Sequence, residues 1–359
     1  MNTLLLAPEL FTTDSGIPRI LRLYLKALCE QAERDGGRVR FVTLNDEAVD
    51  SADLRPYAGR SLAEWKACNR DKMRFIREAV RLGARTDFLV CGHVAQLPVA
   101  WLASWRRPGL RYALVAHGIE VWRPFTFWER RALKGAHRIF CVSAFTRQEL
   151  LKHLPLDERR LVVLPNALDP NLEPGGNSTT ISTSQPVILT VSRLSRSDRY
   201  KGIDHLIEAM PAILAAAPGT KLRIVGRGDD AHRLQDLART HKLSAAVEFA
   251  GFVSDEQLRH EFARCTLFAL PSQKEGFGLV FLEAMAYGKP CLAADEGGAP
   301  EVIDGGSGRL VSYGDPQALA TACIAMLQAT WDAAAIRERA RAKFGFDVFA
   351  ARLARELAE

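Results

Sequence analysis

Apolar positions along the chain fall into two alternating kinds of stretch. Short runs at residues 2–7, 39–44, 87–91, 112–116, 138–142 and 161–164 lack helical period and read as buried strands. Longer periodic stretches between them read as helices, among them residues 16–33, with Pro18 suited to the first turn, and residues 61–82. Periodicity is lost over residues 169–186, which hold three prolines and two glycines among Ser, Thr and Asn. After them the same alternation restarts. Strands are expected at 187–192, 221–225, 247–250, 266–270, 290–293 and 308–311. Helices are expected at 202–217 (interrupted around Pro211), 232–242, 255–265, 317–327, 331–344 and 348–359. Strand, loop and helix in repeated order predict two successive α/β domains with parallel sheets, a linker at 171–186, and a binding site in the cleft between domains.

Composition changes this picture little. The 359 residues are 48% hydrophobic and 25% charged, ordinary for a globular chain. No run approaches ~18 apolar residues, and the first apolar run lacks a basic leader, so neither a spanning helix nor a secretory signal is expected. The seven cysteines are scattered and never spaced as C-x-x-C, which reads as reduced cytoplasmic thiols with no metal motif.

Charge changes it more. Residues 1–170 hold 27 Lys and Arg against 19 Asp and Glu, whereas the remainder holds 21 against 23. The positive excess therefore lies wholly in the first half, where an anionic partner is expected. On a helix over 61–82, Lys66, Arg70, Arg74, Arg77 and Arg81 would form one stripe. Such a stripe is either a solvated face or a contact with anionic headgroups at a membrane. Trp101, Trp105, Arg106, Arg107, Trp122, Arg123, Phe125, Phe127, Trp128, Arg130 and Arg131 extend the basic and aromatic character. This mixture suits a membrane interface, sugar stacking or packing, and no nucleic-acid module accompanies it.

Candidate chemistry gathers where strands end. The run at 266–270 leads into a loop with Gly276 and Gly278 and then a helix closed by Gly288, an order that points backbone N–H groups and a helix N-terminus at one spot, as a phosphate requires. Glu275 stands in the loop. Glu283 is expected about two turns into a helix starting near Gly276, too far for one catalytic pair. Arg193, Arg196, Arg199 and Lys201 follow the strand at 187–192, and Gly226 follows that at 221–225. In the first half, Gly16 precedes a helix, and His93, His117 and Ser143 each follow a strand.

Several motifs coincide in the second half: Val191-Ser192-Arg193-Leu194 with Lys201-Gly202, Ile224-Val225-Gly226-Arg227-Gly228, Gly251-Phe252-Val253, Glu275-Gly276-Phe277-Gly278-Leu279 with Glu283, and Gly297-Gly298-Ala299-Pro300-Glu301. Together they resemble the retaining glycosyltransferases of family four, which have the GT-B fold of two facing Rossmann-like domains. The first half resembles the family more loosely through Gly16, His117-Gly118, Ser143 and Pro165-Asn166-Ala167. The loop between Arg193 and Lys201 is longer here by residues 195–200.

The resemblance implies an acceptor-binding domain at 1–170, joined by a final helix at 346–359, and a nucleotide-sugar domain at 187–345. Arg193 and Lys201 would clamp the donor diphosphate, with Gly278 and Leu279 offering backbone N–H groups to it and Gly276 and Phe277 among the donor-binding residues. Glu283 would hold the ribose, and Glu275 and His117 the donor sugar. Gly226, Phe252 and Val253 would lie beside phosphate and base, and Gly16 beside phosphate or acceptor. The implied reaction moves a hexose, with retention and without metal or cofactor, from a UDP-hexose in preference to GDP-mannose. The basic first half and its expected basic helix point to a glycan or lipid-linked acceptor, a lipid-linked or cell-surface polysaccharide precursor at the inner face of a membrane. A nucleotide-sugar epimerase, a sugar-phosphate phosphorylase and a non-catalytic sugar-nucleotide-binding protein are the alternatives.

Overall fold

The computed structural model of the chain describes residues 1–13, 15–172 and 185–359, which form two compact units, residues 1–171 with 344–359 and residues 172–343. Most of the expected linker at 171–186 lies outside the described residues. Each unit is α/β with one wholly parallel sheet, in agreement with the alternation read from the sequence. Among the described residues no single helix is long and apolar enough to cross a membrane.

In the first unit the strands are β1 (Thr3–Ala7), β2 (Val39–Thr43), β3 (Leu62–Ala67), β4 (Phe88–Cys91), β5 (Arg111–Ala116), β6 (Arg138–Cys141) and β7 (Leu161–Val163). Their order across the sheet is β3-β2-β1-β4-β5-β6-β7. Parallel strands need crossover helices, and helices on the sheet faces bury central strands on both sides. Thus every residue of β1 and β4 is buried, which is why the sequence shows them as unbroken apolar runs. The helix Gly16–Asp35 carries its apolar stripe through Ile20, Leu21, Tyr24, Leu25 and Leu28 and stops at Gly36, whose φ of 68° suits a residue without a Cβ. The last helix, Phe346–Ala358, lies against it, with Phe349 edge-on to Tyr24 at 4.9 Å between ring centres. Arg138 ties this helix to β6 through Glu356 (3.5 Å) and Glu359 (3.0 Å).

The long helix expected over 61–82 does not form. Residues Leu62–Ala67 are the edge strand β3, paired with β2, and Trp65 stacks on Phe41 at 6.2 Å. Asn69 and Arg70 then take left-handed backbone angles, and Asp71 caps a shorter helix, Lys72–Gly83, by accepting the Arg74 N–H at 2.9 Å. Lys66 therefore lies on a strand and Arg70 in a turn, so neither continues the row of Arg74, Arg77 and Arg81. That row is also partly neutralised: Arg81 pairs with Glu64 (2.5 Å) and Glu78 (2.7 Å), and Arg77 approaches Glu78 at 3.7 Å. The basic stripe is not a feature of this fold.

In the second unit the strands are β8 (Val187–Val191), β9 (Lys221–Val225), β10 (Val247–Gly251), β11 (Leu267–Leu270), β12 (Cys291–Ala294) and β13 (Gly308–Val311), in the order β10-β9-β8-β11-β12-β13. The helix Ile203–Ala216 continues across Pro211 instead of breaking there. Pro211 removes one intrahelical N–H, but burial of Leu206, Ile207, Met210 and Ile213 holds the turns on either side. In both sheets the chain leaves the first strand in one direction and returns to its other side. These reversals, between β1 and β4 and between β8 and β11, open crevices at the carboxyl ends of the strands where ligands of parallel sheets bind.

Candidate active site

At the β8–β11 reversal, the loops that leave the two strands are stitched together. Gln273 donates its N–H to the Tyr200 carbonyl at 2.8 Å. Gly202 has φ of 70°, and a Cβ there would stand 2.5 Å from the Pro271 carbonyl oxygen. This close approach brings Lys201, from the β8 side, to Glu275, from the β11 side: Nζ to Oε2 is 2.6 Å, with both side chains 16% exposed. Arg193 is exposed and pairs with Asp198 at 3.0 Å. Asp198 is buried and also accepts from the Tyr200 hydroxyl at 3.2 Å. A cation and a carboxylate thus sit together at the reversal, and the Arg193 guanidinium belongs to the same β8 loop as Lys201.

The Glu275 loop is fixed from its other side by Gly297 and Gly298. Gly298 donates to the Glu275 carbonyl at 2.7 Å. A Cβ on Gly297 would lie 2.5 Å from that same oxygen, and one on Gly298 would lie 2.2 Å from the Gly276 carbonyl. Gly276 is half-buried and Phe277 is buried. Gly278, with φ of 94°, then starts the helix Leu279–Ala286, and no side chain caps that end. Its first amides, beginning at Leu279, therefore keep their capacity to bind an anion. The helix begins later than the sequence led one to expect, so Glu283 is its fifth residue, little more than a turn in, and not two turns.

Gly226 follows β9 with φ of 140°, and a Cβ there would lie 1.8 Å from the Ser192 carbonyl. Only glycine lets the β8 and β9 loops run so close. At the end of β10, Phe252 is exposed beneath the Arg227 guanidinium (4.8 Å to the ring centre). Phe252 and Val253 line a cavity of about 320 Å³ together with Arg223, Gln257, His260 and Glu261.

In the first unit, Gly16 is the exposed first residue of its helix, and the Ser15 side chain does not cap it. The loop ahead of it is held by buried Asp46, which accepts the N–H groups of Leu10 (2.9 Å), Phe11 (3.2 Å) and Thr12 (2.9 Å). His117, at the end of β5, places Nε2 2.9 Å from the Gly92 carbonyl beyond β4. A carbonyl only accepts, so Nε2 carries the proton and Nδ1 is left as an acceptor. Burial lowers the His117 pKa to about 4, so the ring is neutral at pH 7. Glu120 accepts the N–H groups of His117 (2.5 Å) and Gly118 (3.2 Å), holding a turn in which Gly118 has φ of 146°. Burial pushes the Glu120 carboxyl up and His93 down. His93 caps a short turn, its Nδ1 accepting from Ala95, and Ser143 caps the helix Ala144–His153.

Two family models match. The model for glycosyl transferases group 1 matches residues 177–343, and that for glycosyltransferase family 4 matches residues 22–172. The chain belongs to glycosyltransferase family 4. Among curated relatives of this family, it is 32% identical over 269 residues to a GDP-mannose-dependent α-(1-6)-phosphatidylinositol monomannoside mannosyltransferase of Mycolicibacterium smegmatis, covering 68% of this chain and 66% of that one. It is also 32% identical over 229 residues to the GDP-mannose-dependent monoacylated α-(1-6)-phosphatidylinositol monomannoside mannosyltransferase of Corynebacterium glutamicum, covering 61% and 56%. The crystal structure of Anabaena HepE in complex with UDP and glucose has a TM-score of 0.78 and 22% identity, covering 100% of this chain and 99% of that one, which establishes the GT-B fold.

The sequence motifs contain Arg193, Lys201 and Glu275, which lie at the β8–β11 reversal, but point to neither Asp198 nor Glu120. Asp198 lies in the lengthened loop. Glu120 could have been found from its place three residues after His117, the spacing at which a carboxylate reaches back to a backbone N–H.

Proposed function

We propose that this family-four enzyme moves a hexosyl group from a nucleoside-diphosphate sugar to an acceptor hydroxyl with retained anomeric configuration. The observation that carries the reading is the meeting of Lys201 and Glu275 at 2.6 Å across the β8–β11 reversal, beside a helix N-terminus without a side-chain cap. A departing nucleoside diphosphate gains negative charge as its bond to the sugar breaks. Lys201, Arg193 and the amides from Gly278 and Leu279 onward meet that charge with fixed donors, and no metal is assigned a part. Glu283 holds the ribose, and the cavity beside Phe252 and Val253 takes the base, next to the Gly226 loop. Glu275 grips the sugar hydroxyls. His117, neutral and with Nδ1 as an acceptor, receives a hydrogen bond from a sugar hydroxyl.

In the proposed step, the acceptor oxygen bonds to the anomeric carbon on the face from which the diphosphate leaves. A phosphate oxygen of the leaving group takes the acceptor proton. No covalent sugar–enzyme adduct forms, and Glu275 positions the sugar without attacking it.

GDP-mannose comes first in the donor panel, a choice supported by the GDP-mannose-dependent relatives, with UDP-hexoses second. Their phosphatidylinositol mannoside acceptors, together with the basic first half, favour a lipid-linked acceptor at the cytoplasmic face of a membrane. The test incubates the chain with each donor, with and without glycolipid extract, and reads released UDP or GDP. Release that depends on acceptor supports transfer. A 4-epimer of the donor, a free sugar 1-phosphate, or binding without turnover would replace it with the epimerase, phosphorylase or non-catalytic reading.

A further inference from the structure

Four aromatic side chains on two neighbouring helices of the first unit, Leu97–Arg106 and Phe127–Gly135, form a contiguous row. Trp105 meets Trp101 at 4.4 Å between ring centres, Trp101 meets Trp128 at 6.0 Å, and Trp128 meets Phe127 at 5.0 Å. Trp101 packs against the core at one side of the row. Trp105, Phe127 and Trp128 are 65%, 60% and 57% exposed, and Leu102 beside them is 40% exposed. Scattered exposed aromatics need no explanation, but a connected row of them marks a surface meant to be covered.

The charges on these two helices and their ends are mostly positive, with Arg107 paired to Asp87 at 2.6 Å. Residues 97–107 and 122–138 contain seven Lys and Arg and one carboxylate, Glu129. Glu129 is buried, pairs with Arg123 at 2.8 Å and closes the capping box of its helix. Arg106, Arg130, Arg131 and Lys134 are exposed, and among the described residues none of them has a carboxylate partner. The Arg131 guanidinium lies 5.4 Å from the Phe127 ring centre. Amphipathic indoles settle at the headgroup level of a bilayer, and unpaired cations beside them are attracted by anionic headgroups. A second copy of the chain placed face to face here would bring these cations against one another, which disfavours self-association through the patch.

We propose that this face of the first unit, centred on Trp105, Phe127 and Trp128 and ringed by Arg106, Arg130, Arg131 and Lys134, docks on an anionic phospholipid bilayer. It replaces the stripe of Lys66, Arg70, Arg74, Arg77 and Arg81 as the membrane-facing surface. The docking does not depend on the transferase reading, since it concerns a surface and not the donor site.

The test is cosedimentation of the full chain with vesicles of phosphatidylcholine alone or of equal parts phosphatidylcholine and phosphatidylglycerol. The expected result is binding to the anionic vesicles only, weakened by salt. Arg130→Gln with Arg131→Gln should lower affinity about 30-fold, each cation contributing about fivefold. Trp105→Ala with Trp128→Ala should lower it at least tenfold, and Arg74→Gln with Arg77→Gln should leave it unchanged. These side chains are exposed, and matching thermal melts confirm that each variant folds. Binding of UDP and GDP is measured in parallel, so that failure of the donor reading is seen separately. Equal vesicle binding by parent and patch variants, loss in the Arg74/Arg77 variant alone, absence of vesicle binding, or a concentration-dependent dimer abolished by the Trp changes would each overturn the proposal.

Discussion

Replacing Lys201 separates the two roles that its pair with Glu275 could have. The pair is short, at 2.6 Å, and each side chain is 16% exposed, so water screens it only in part. A hydrogen bond between charged groups in such a setting contributes roughly 1.5–3 kcal/mol. Lys201→Met keeps most of the stem but leaves the Glu275 carboxylate without its cation, and should cost about 2 kcal/mol, or about 4–8 °C in melting temperature for a unit of this size. Glu275→Gln leaves Lys201 an amide oxygen and should cost about 1 kcal/mol. Because the partners touch, the double variant should be less destabilised than the sum of the singles, by about 1 kcal/mol. Turnover should behave differently. Losing a fixed cation at the leaving diphosphate costs roughly 10²–10³ in kcat, and removing Glu275 as well cannot restore it. The assay is a double-mutant cycle in both melting temperature and acceptor-dependent nucleoside-diphosphate release. If turnover recovered together with stability in the double variant, the pair would be a clamp between two loops, and its assignment to the donor would be refuted.

The remaining predictions concern pH, backbone and metal. Burial holds His117 near pKa 4, below the ordinary value of about 6.5, so the unfolded chain binds more protons between those values. The stability contributed by neutral His117 is full above pH 6.5 and is lost as pH falls through 4, amounting to about 3 kcal/mol; urea unfolding at pH 7 and pH 4.5 should show a smaller pH dependence for His117→Gln than for the parent. Gly226→Ala should destabilise by about 2–4 kcal/mol, since it adds a methyl group against the Ser192 carbonyl at a φ of 140°. Gly36→Ala, whose Cβ would meet nothing within 4 Å, should cost only about 1 kcal/mol for its left-handed backbone; urea midpoints that fail to separate the two would remove the close-approach argument. Chelation with EDTA should leave turnover unchanged if Lys201, Arg193 and the helix amides carry the diphosphate charge, whereas a loss restored by magnesium would reassign that role to a cation.

Strands such as β1, β4 and β11 were legible because burial on both faces writes them as continuous apolar runs. The Glu275 loop was legible because close backbone approach and a positive φ leave glycine at Gly278 and Gly297 as a mark in the sequence. Residues Leu62–Ala67 were not. Leu, Ala, Glu and Lys favour helix locally, and only pairing with β2 at the sheet edge overrides them. A signal was present in Asp71, a good cap three residues before Arg74. Glu283 was placed a turn too deep because Gly276 and Gly278 both read as possible helix starts, and the φ of 94° that places the cap at Gly278 is a property of the folded backbone. Arg193's partner was hidden for another reason: Asp198 lies in a loop whose length departs from the family pattern, so no motif points to it.

The most direct measurement follows both halves of the reaction in one tube. A sugar nucleotide labelled with ¹³C at the anomeric carbon is mixed with the full chain and a glycolipid acceptor. Released nucleoside diphosphate and the anomeric resonance of the product are then recorded together. The expected result is one nucleoside diphosphate per sugar transferred, with the donor's anomeric configuration kept in the product. Label appearing as free sugar or sugar 1-phosphate, or in a product of inverted configuration, would contradict retaining transfer at the Lys201–Glu275 site.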